Sequence, residues 1–128
     1  MTAPPSTLRE YDVAARTTDV FGRVLCQART HHFVVDGPVQ NGCPGEELTP
    51  PEVFLSAVAS CGVELVQVIA RDTKVNIGPV SVAIHGIVDR SRQARADVTL
   101  FNTITLDFTV HGTDSASAAA LVEGFKRR

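Results

Sequence analysis

The chain has 128 residues, of which 44% are hydrophobic and 20% are charged, and its formal net charge is −2. This length allows one domain with a hydrophobic core, and the near balance of charges excludes a phosphate-backbone binder or a polybasic membrane anchor. We therefore expect neither a nucleic acid nor a membrane as a partner. Three cysteines without repeated spacing argue against a secreted disulfide framework, so a reducing cytoplasm is the expected location.

The first part of the chain predicts three short strands and a loop. Residues 1–8 are expected to form a loose arm without the features of a signal peptide. Alternating apolar and polar residues predict strands at residues 11–15, 23–28 and 32–36. Four prolines and three glycines within residues 37–51 predict a loop.

A long helix is the strongest prediction from the sequence. Thr49 is its expected N-cap, prolines occupy positions that need no N–H partner, and Glu52 closes a capping box. The helix is expected to continue to about Asp72 and to carry two apolar stripes. The first stripe comprises Phe54, Val58, Cys61, Leu65 and Val68. The second comprises Leu55, Ala59, Gly62, Val66 and Ile69. Because a helix that is apolar around most of its circumference is buried on most sides, we expect a sheet or a second subunit to cover it.

The last part of the chain predicts two further strands and a final helix. The strands are expected at residues 80–88 and 104–111, with a polar turn or strand extension at 89–96. After Gly112, either Ser115 or Ser117 is expected to cap a helix over residues 118–126. Clustered strands around a single long helix indicate an α+β fold, not a parallel βαβ sheet.

The segment from Asp36 to Cys61 resembles the OsmC/Ohr family, which comprises osmotically inducible protein C and the organic hydroperoxide resistance proteins. The matching elements, spaced as in the OsmC-like branch, are Asp36-Gly-Pro38, Gly42, Pro50-Pro51-Glu52 and Ala57-Val-Ala-Ser-Cys61. The resemblance covers nearly the whole chain and implies a single OsmC-like domain over residues 1–128. It also implies an antiparallel sheet packed on a long buried central helix, in an intertwined homodimer.

The resemblance implies thiol-dependent reduction of organic hydroperoxides, a defence against oxidative stress. Family enzymes use two cysteines, an arginine and a glutamate, require no metal or organic cofactor, and are regenerated by an external dithiol reductant. The second cysteine is expected near or just past residues 126–128, where the sequence has none. Either the native protein continues, with the C-terminal part of the usual domain missing here, or this member lacks its usual resolving thiol.

Cys61 is the predicted peroxidatic cysteine. A thiol reduces a peroxide as its thiolate, which requires a nearby cation or hydrogen-bond donors and access for the substrate. A small apolar filler in a buried helix is the structural alternative. Phe54, Val58 and Leu65 share the stripe of Cys61 and are the predicted lining of an apolar substrate pocket.

The remaining site residues are assigned by resemblance. Glu52 matches the family's glutamate, although the capping box alone also explains it. The family's arginine comes from the first hairpin, which leaves Arg16 and Arg23, and Arg23 is preferred. Cys43 stands where the family has a second glycine and is a candidate substitute for the resolving thiol.

The histidines do not predict a metal site, because they show no metal-ligand spacing with one another or with the cysteines. Two other functions remain open from the sequence. One is a non-catalytic OsmC-like dimer that binds a small apolar molecule beside Cys61. The other is a redox sensor that uses a single thiol.

Overall fold

The strands and helices follow one another in the predicted order in a computed structural model that describes residues 7–128. The predicted loose arm at residues 1–8 falls largely outside the described residues. The chain divides into two compact units, Met1–Val53 and Phe54–Arg128. Within residues 7–128, two α-helices and two antiparallel sheets confirm the predicted α+β class.

The first unit contains a three-stranded antiparallel sheet in the order β1-β2-β3. Its strands are β1 (Ala14–Thr17), β2 (Arg23–Ala28) and β3 (His31–Asp36). The prediction of a strand from residue 11 was wrong, since pairing starts where Ala14 meets Gln27. The partner strand ends one residue later and turns at Arg29, whose φ is 56°, so residues 11–13 have no strand to pair with.

Helix α1 (Pro50–Asp72) begins as the capping signal predicts. The Glu52 carboxylate accepts hydrogen bonds from the Thr49 backbone N–H at 3.0 Å and from the Thr49 hydroxyl at 2.8 Å. Only Gly62, Val66, Ile69 and Ala70 of this helix are buried within the chain. By length and composition α1 is also able to cross a membrane, a property that it shares with core helices of soluble proteins.

The second unit packs helices against a two-stranded sheet. Strand β4 (Val80–Ile87) pairs antiparallel with β5 (Thr103–Val110), and helix α2 (Ser115–Lys126) follows. The hydrophobic core comprises Val66, Ile69, Ala70 and Leu121, with Val75, Ile77, Val80, Phe108, Val110 and Phe125 packed around them.

The cap of α2 differs from the prediction. Asp114 is the N-cap, and its carboxylate accepts a hydrogen bond from the Ser117 N–H at 2.7 Å. Neither Ser115 nor Ser117 caps the helix, because the helix begins at Ser115 and the preceding carboxylate satisfies its first free N–H groups.

Candidate functional site

Cys61 presents a free, exposed thiol on α1. It follows Val58 by three residues and Phe54 by seven, so helical geometry places the three side chains on one side of α1. Cys26 and Cys43 are also free but half-buried. Among the three thiols, that of Cys61 is therefore the most accessible to a substrate within the single chain.

The predicted apolar lining has an aromatic component that the sequence did not reveal. Phe54 is 51% exposed, and its ring stacks on that of Phe101 with 5.6 Å between ring centroids and an angle of 18°. Val58 and Leu65 are half-buried. Phe101 precedes β5 in a segment without periodicity, so no pattern in the sequence points to it.

Gly86 makes the position of Phe101 possible. A Cβ atom at Gly86 would lie 2.6 Å from Cε1 of Phe101 and 3.2 Å from Cδ1 of Leu55. A glycine inside a strand signals the close approach of another group. That signal is present in the alternating run of β4, although it does not say which residue approaches.

Arg23 is held by a buried carboxylate in the first unit. Its Nε and Nη2 atoms donate to the two oxygens of Asp36, each at 2.8 Å, and Nη2 also donates to Glu46 at 3.3 Å. Asp36 is 0% exposed and accepts two backbone N–H groups as well, from Glu46 at 3.0 Å and Glu47 at 2.9 Å. The Asp36 N–H in turn donates to the Leu48 carbonyl at 2.9 Å.

These contacts determine the ionisation of the pair. The bidentate bonds from Arg23, followed by the two backbone N–H groups, hold the pKa of Asp36 well below its usual range despite burial. The same bonds raise the pKa of Arg23 further above its ordinary value. Arg23 is therefore a permanent cation with its own counter-ion. Arg16, the other candidate, is exposed on β1, and its side chain makes no hydrogen bond or ion pair within residues 7–128.

Glu52 remains compatible with both of its predicted roles. Its bonds to Thr49, of which the backbone bond is the stronger influence, lower the pKa of its carboxyl group. The side chain is therefore an anion at neutral pH. A capping role is thus present in the geometry, and a role in the site stays a prediction.

Cys43 packs into space that two glycines leave open. A Cβ atom at Gly37 would lie 2.5 Å from the Cys43 sulfur, and one at Gly22 would also overlap it. The Cys43 thiol is 3.9 Å from the carbonyl oxygen of Asn41, within reach of a weak hydrogen bond. Both glycines and Cys43 belong to the first unit, in which Gly22 precedes Arg23 and Gly37 follows Asp36. The function of Cys43 as a resolving thiol stays a prediction.

Within residues 7–128, no three histidine, cysteine, aspartate or glutamate side chains converge to hold a metal ion. The exposed thiol and the aromatic pair belong to the second unit, whereas the Arg23–Asp36 ion pair belongs to the first.

The protein thus has an α+β fold whose long helix presents an exposed cysteine. The chain belongs to the OsmC family: residues 43–128 match the family of OsmC-like proteins. This match extends over about two-thirds of the chain and includes Cys61. Among curated proteins, none matches the chain in sequence.

Solved structures share the fold at low sequence identity. An OsmC-like protein from Mycoplasma pneumoniae gives a TM-score of 0.77 at 16% identity, covering 94% of this chain and 82% of that one. An organic hydroperoxide resistance protein OsmC from Legionella pneumophila gives 0.73 at 18% identity, with 95% and 85% covered. An organic hydroperoxide resistance protein from Elizabethkingia anophelis gives 0.76 at 14% identity, with 96% and 85% covered. At these identities the likeness establishes the fold alone.

Proposed function

We propose that this protein reduces organic hydroperoxides in a thiol-dependent reaction, with Cys61 as the peroxidatic cysteine. The observation that supports this most directly is the exposed thiol of Cys61 on α1, within the residues that match the OsmC family. Two proteins of the same fold are described as organic hydroperoxide resistance proteins, which supports the same chemistry.

The reaction proceeds in two stages. The Cys61 thiolate attacks one peroxide oxygen, an S–O bond forms as the O–O bond breaks, and the departing alkoxide takes a proton to become an alcohol. The sulfur is oxidised to a sulfenic acid while the hydroperoxide is reduced. A second thiol then displaces water to form a disulfide, and an external dithiol reduces that disulfide by exchange.

The other predicted residues have supporting roles in this proposal. An arginine of the first hairpin, with Arg23 preferred to Arg16, favours the thiolate. Asp36 holds Arg23 through two hydrogen bonds, and Glu52 is the residue that matches the family's glutamate. Cys43 is the candidate for the resolving thiol. The protein works as a homodimer in the cytoplasm, where thiols remain reduced.

A comparison of cysteine variants tests the proposal. The full chain is assayed with cumene hydroperoxide and dithiothreitol. The substitution Cys61→Ser should lower the rate of hydroperoxide consumption to that of dithiothreitol alone, because serine cannot act as the nucleophile. Cys26→Ser is the matched control, since Cys26 is a half-buried thiol on β2, and it should retain activity. Equal rates for the wild type and Cys61→Ser would contradict the proposal.

Mass spectrometry after one equivalent of hydroperoxide identifies the resolving step. A Cys43–Cys61 disulfide supports Cys43 as the resolving thiol. A mixed disulfide of Cys61 with dithiothreitol shows instead that the external thiol resolves the sulfenic acid directly. A persistent sulfenic acid in the presence of dithiothreitol would favour the redox sensor over the peroxidase.

A further inference from the structure

We propose that Phe101 is a specificity-determining residue of this site: together with Phe54 it receives the organic group of the hydroperoxide. The inference rests on the proposed function and adds to it a residue outside α1, in the connection between β4 and β5. The observation that supports it is that the ring of Phe101 stacks on Phe54, on the exposed face of α1 that also presents Cys61.

The stacked pair offers an apolar surface of defined orientation. The rings of Phe54 and Phe101 are 5.6 Å apart and inclined by only 18°, while Phe54 remains 51% exposed and Phe101 is half-buried. Aromatic rings bury large apolar areas and add about 0.5–1.5 kcal/mol per pair through their geometry. The partial exposure of both rings leaves apolar area available for a bound molecule.

Backbone and side-chain hydrogen bonds fix Phe101 on both sides. The preceding residue, Leu100, donates its N–H to Oε1 of Gln93 at 2.6 Å and accepts from Nε2 of Gln93 at 3.0 Å. The following residue, Asn102, donates its N–H to the Ile87 carbonyl at 2.7 Å. Such anchors hold the backbone at Phe101 in place before a ligand binds, which reduces the entropy lost on binding.

The distance along α1 predicts which organic groups of a hydroperoxide can contact the aromatic pair. Phe54 and Cys61 are seven residues apart on one face, which corresponds to about 10.5 Å along the helix axis. A molecule whose peroxide group meets the Cys61 sulfur reaches the aromatic pair only if its organic group is long. A tert-butyl group is too short to do so, whereas a fatty-acyl chain spans the gap.

Steady-state kinetics of Phe101→Ala test this dependence on length. For linoleic acid hydroperoxide, KM should rise about three- to tenfold with kcat little changed, because the lost contact lies remote from the reacting oxygen. For tert-butyl hydroperoxide, both constants should stay as in the wild type. Equal changes for the two substrates, or none for either, would overturn the inference.

Alkylation of Cys61 provides a second readout that needs no peroxidase activity. Peptide mass spectrometry compares the rates at which N-octylmaleimide and N-ethylmaleimide alkylate Cys61. The ratio of the octyl rate to the ethyl rate should fall about three- to tenfold in Phe101→Ala. An unchanged ratio rejects the role of Phe101. A wild type that consumes no hydroperoxide rejects the proposed function, so the two failures are distinguishable.

Two further variants control for loss of folding. Phe101→Leu keeps an apolar side chain but removes the ring, and it replaces Phe101→Ala if circular dichroism shows that the latter is unfolded. Phe33→Ala removes a partly exposed phenylalanine from β3 in the first unit and should leave the maleimide ratio unchanged. If the maleimide ratio falls as much in Phe33→Ala as in the Phe101 variant, the inference is overturned.

Discussion

Asp36 illustrates, at the scale of a single residue, how a buried charge can organise a neighbouring loop. All four of its carboxylate contacts are short, and they come from three different residues of the first unit, Arg23, Glu46 and Glu47. A buried carboxylate is tolerated only when its hydrogen-bonding capacity is filled and a cation balances it. Asp36 meets both conditions, and it fixes the chain just before Thr49 begins the cap of α1.

The lowered pKa of Asp36 predicts how stability depends on pH. In the unfolded chain the group titrates near its ordinary value of about 3.9. Since the folded value is lower, the stabilisation is complete above that pH and is lost as the pH falls through the unfolded and then the folded value. The midpoint of urea unfolding should therefore decrease more between pH 7 and pH 3 for the wild type than for Asp36→Asn, and Asp36→Asn should already be less stable at pH 7.

The matched control for this prediction is Glu46→Gln. Glu46 contacts the same guanidinium, but its side chain is 75% exposed, so its loss should change the midpoint at pH 7 only slightly. Other carboxyl groups whose pKa is lowered contribute equally to both proteins and cancel in the comparison; they are Glu52, Asp89, Asp97 and Asp114. If the midpoints of urea unfolding depend on pH in the same way for the wild type and Asp36→Asn, Asp36 is not the cause of the loss of stability at low pH.

At the scale of secondary-structure elements, α1 and the second sheet were predictable because their signals are local. The capping box at Thr49 and Glu52 is complete within four residues, and β4 and β5 alternate along their length. The start of β1 was not predictable, because it depends on where the partner strand turns at Arg29. An element is thus predictable where its determinants are close in sequence.

The candidate site was predictable only in part for the same reason. Cys61 and Phe54 lie on one helix, whose periodicity places them on one face. The contact of Phe54 with Phe101 joins residues 47 positions apart, and neither a strand pattern nor a cap announces it. The Arg23–Asp36 pair likewise follows from the pairing of β2 with β3, which brings the two residues opposite each other.

Gly62 determines how closely α1 packs on the core. A Cβ atom there would lie 2.9 Å from Cζ of Phe108 and 3.4 Å from Cζ of Phe125, two half-buried rings in contact with each other. Gly62→Ala gains about 1 kcal/mol in helix propensity, but overpacking costs about 1–3 kcal/mol. We expect a net loss of about 1 kcal/mol in the free energy of unfolding, measured by urea denaturation.

Ser60→Ala serves as the control for Gly62→Ala. Ser60 is exposed on the same helix, and its hydroxyl donates to the Ala57 carbonyl at 3.1 Å. Its replacement should leave stability unchanged or raise it slightly, since alanine is the better helix former. A Gly62→Ala protein that is more stable than the wild type would show that the two rings move aside at little cost.

At the scale of the whole molecule, α1 has more apolar surface than the single chain covers. Most of its residues are apolar, yet only Gly62, Val66, Ile69 and Ala70 are buried. Exposed apolar surface of this extent marks an interaction site. The helix passes the length and composition criteria for a membrane span, but it also carries Glu64 and Gln67. A second copy of the chain is the partner that we propose, because these polar side chains are costly in a lipid environment.

The predicted homodimer is tested by the mass in solution and by a pair of matched substitutions. The wild type should elute at twice the mass of one chain in size-exclusion chromatography with light scattering, without detergent. Ala57→Glu places a charge on the exposed face of α1 and should shift the protein toward the monomer, because an unpaired carboxylate at an apolar interface is costly. Ala83→Glu introduces the same charge at an exposed residue of β4 and should leave the mass unchanged. A wild type that is monomeric at micromolar concentration, or that stays in solution only with detergent, would contradict the dimer.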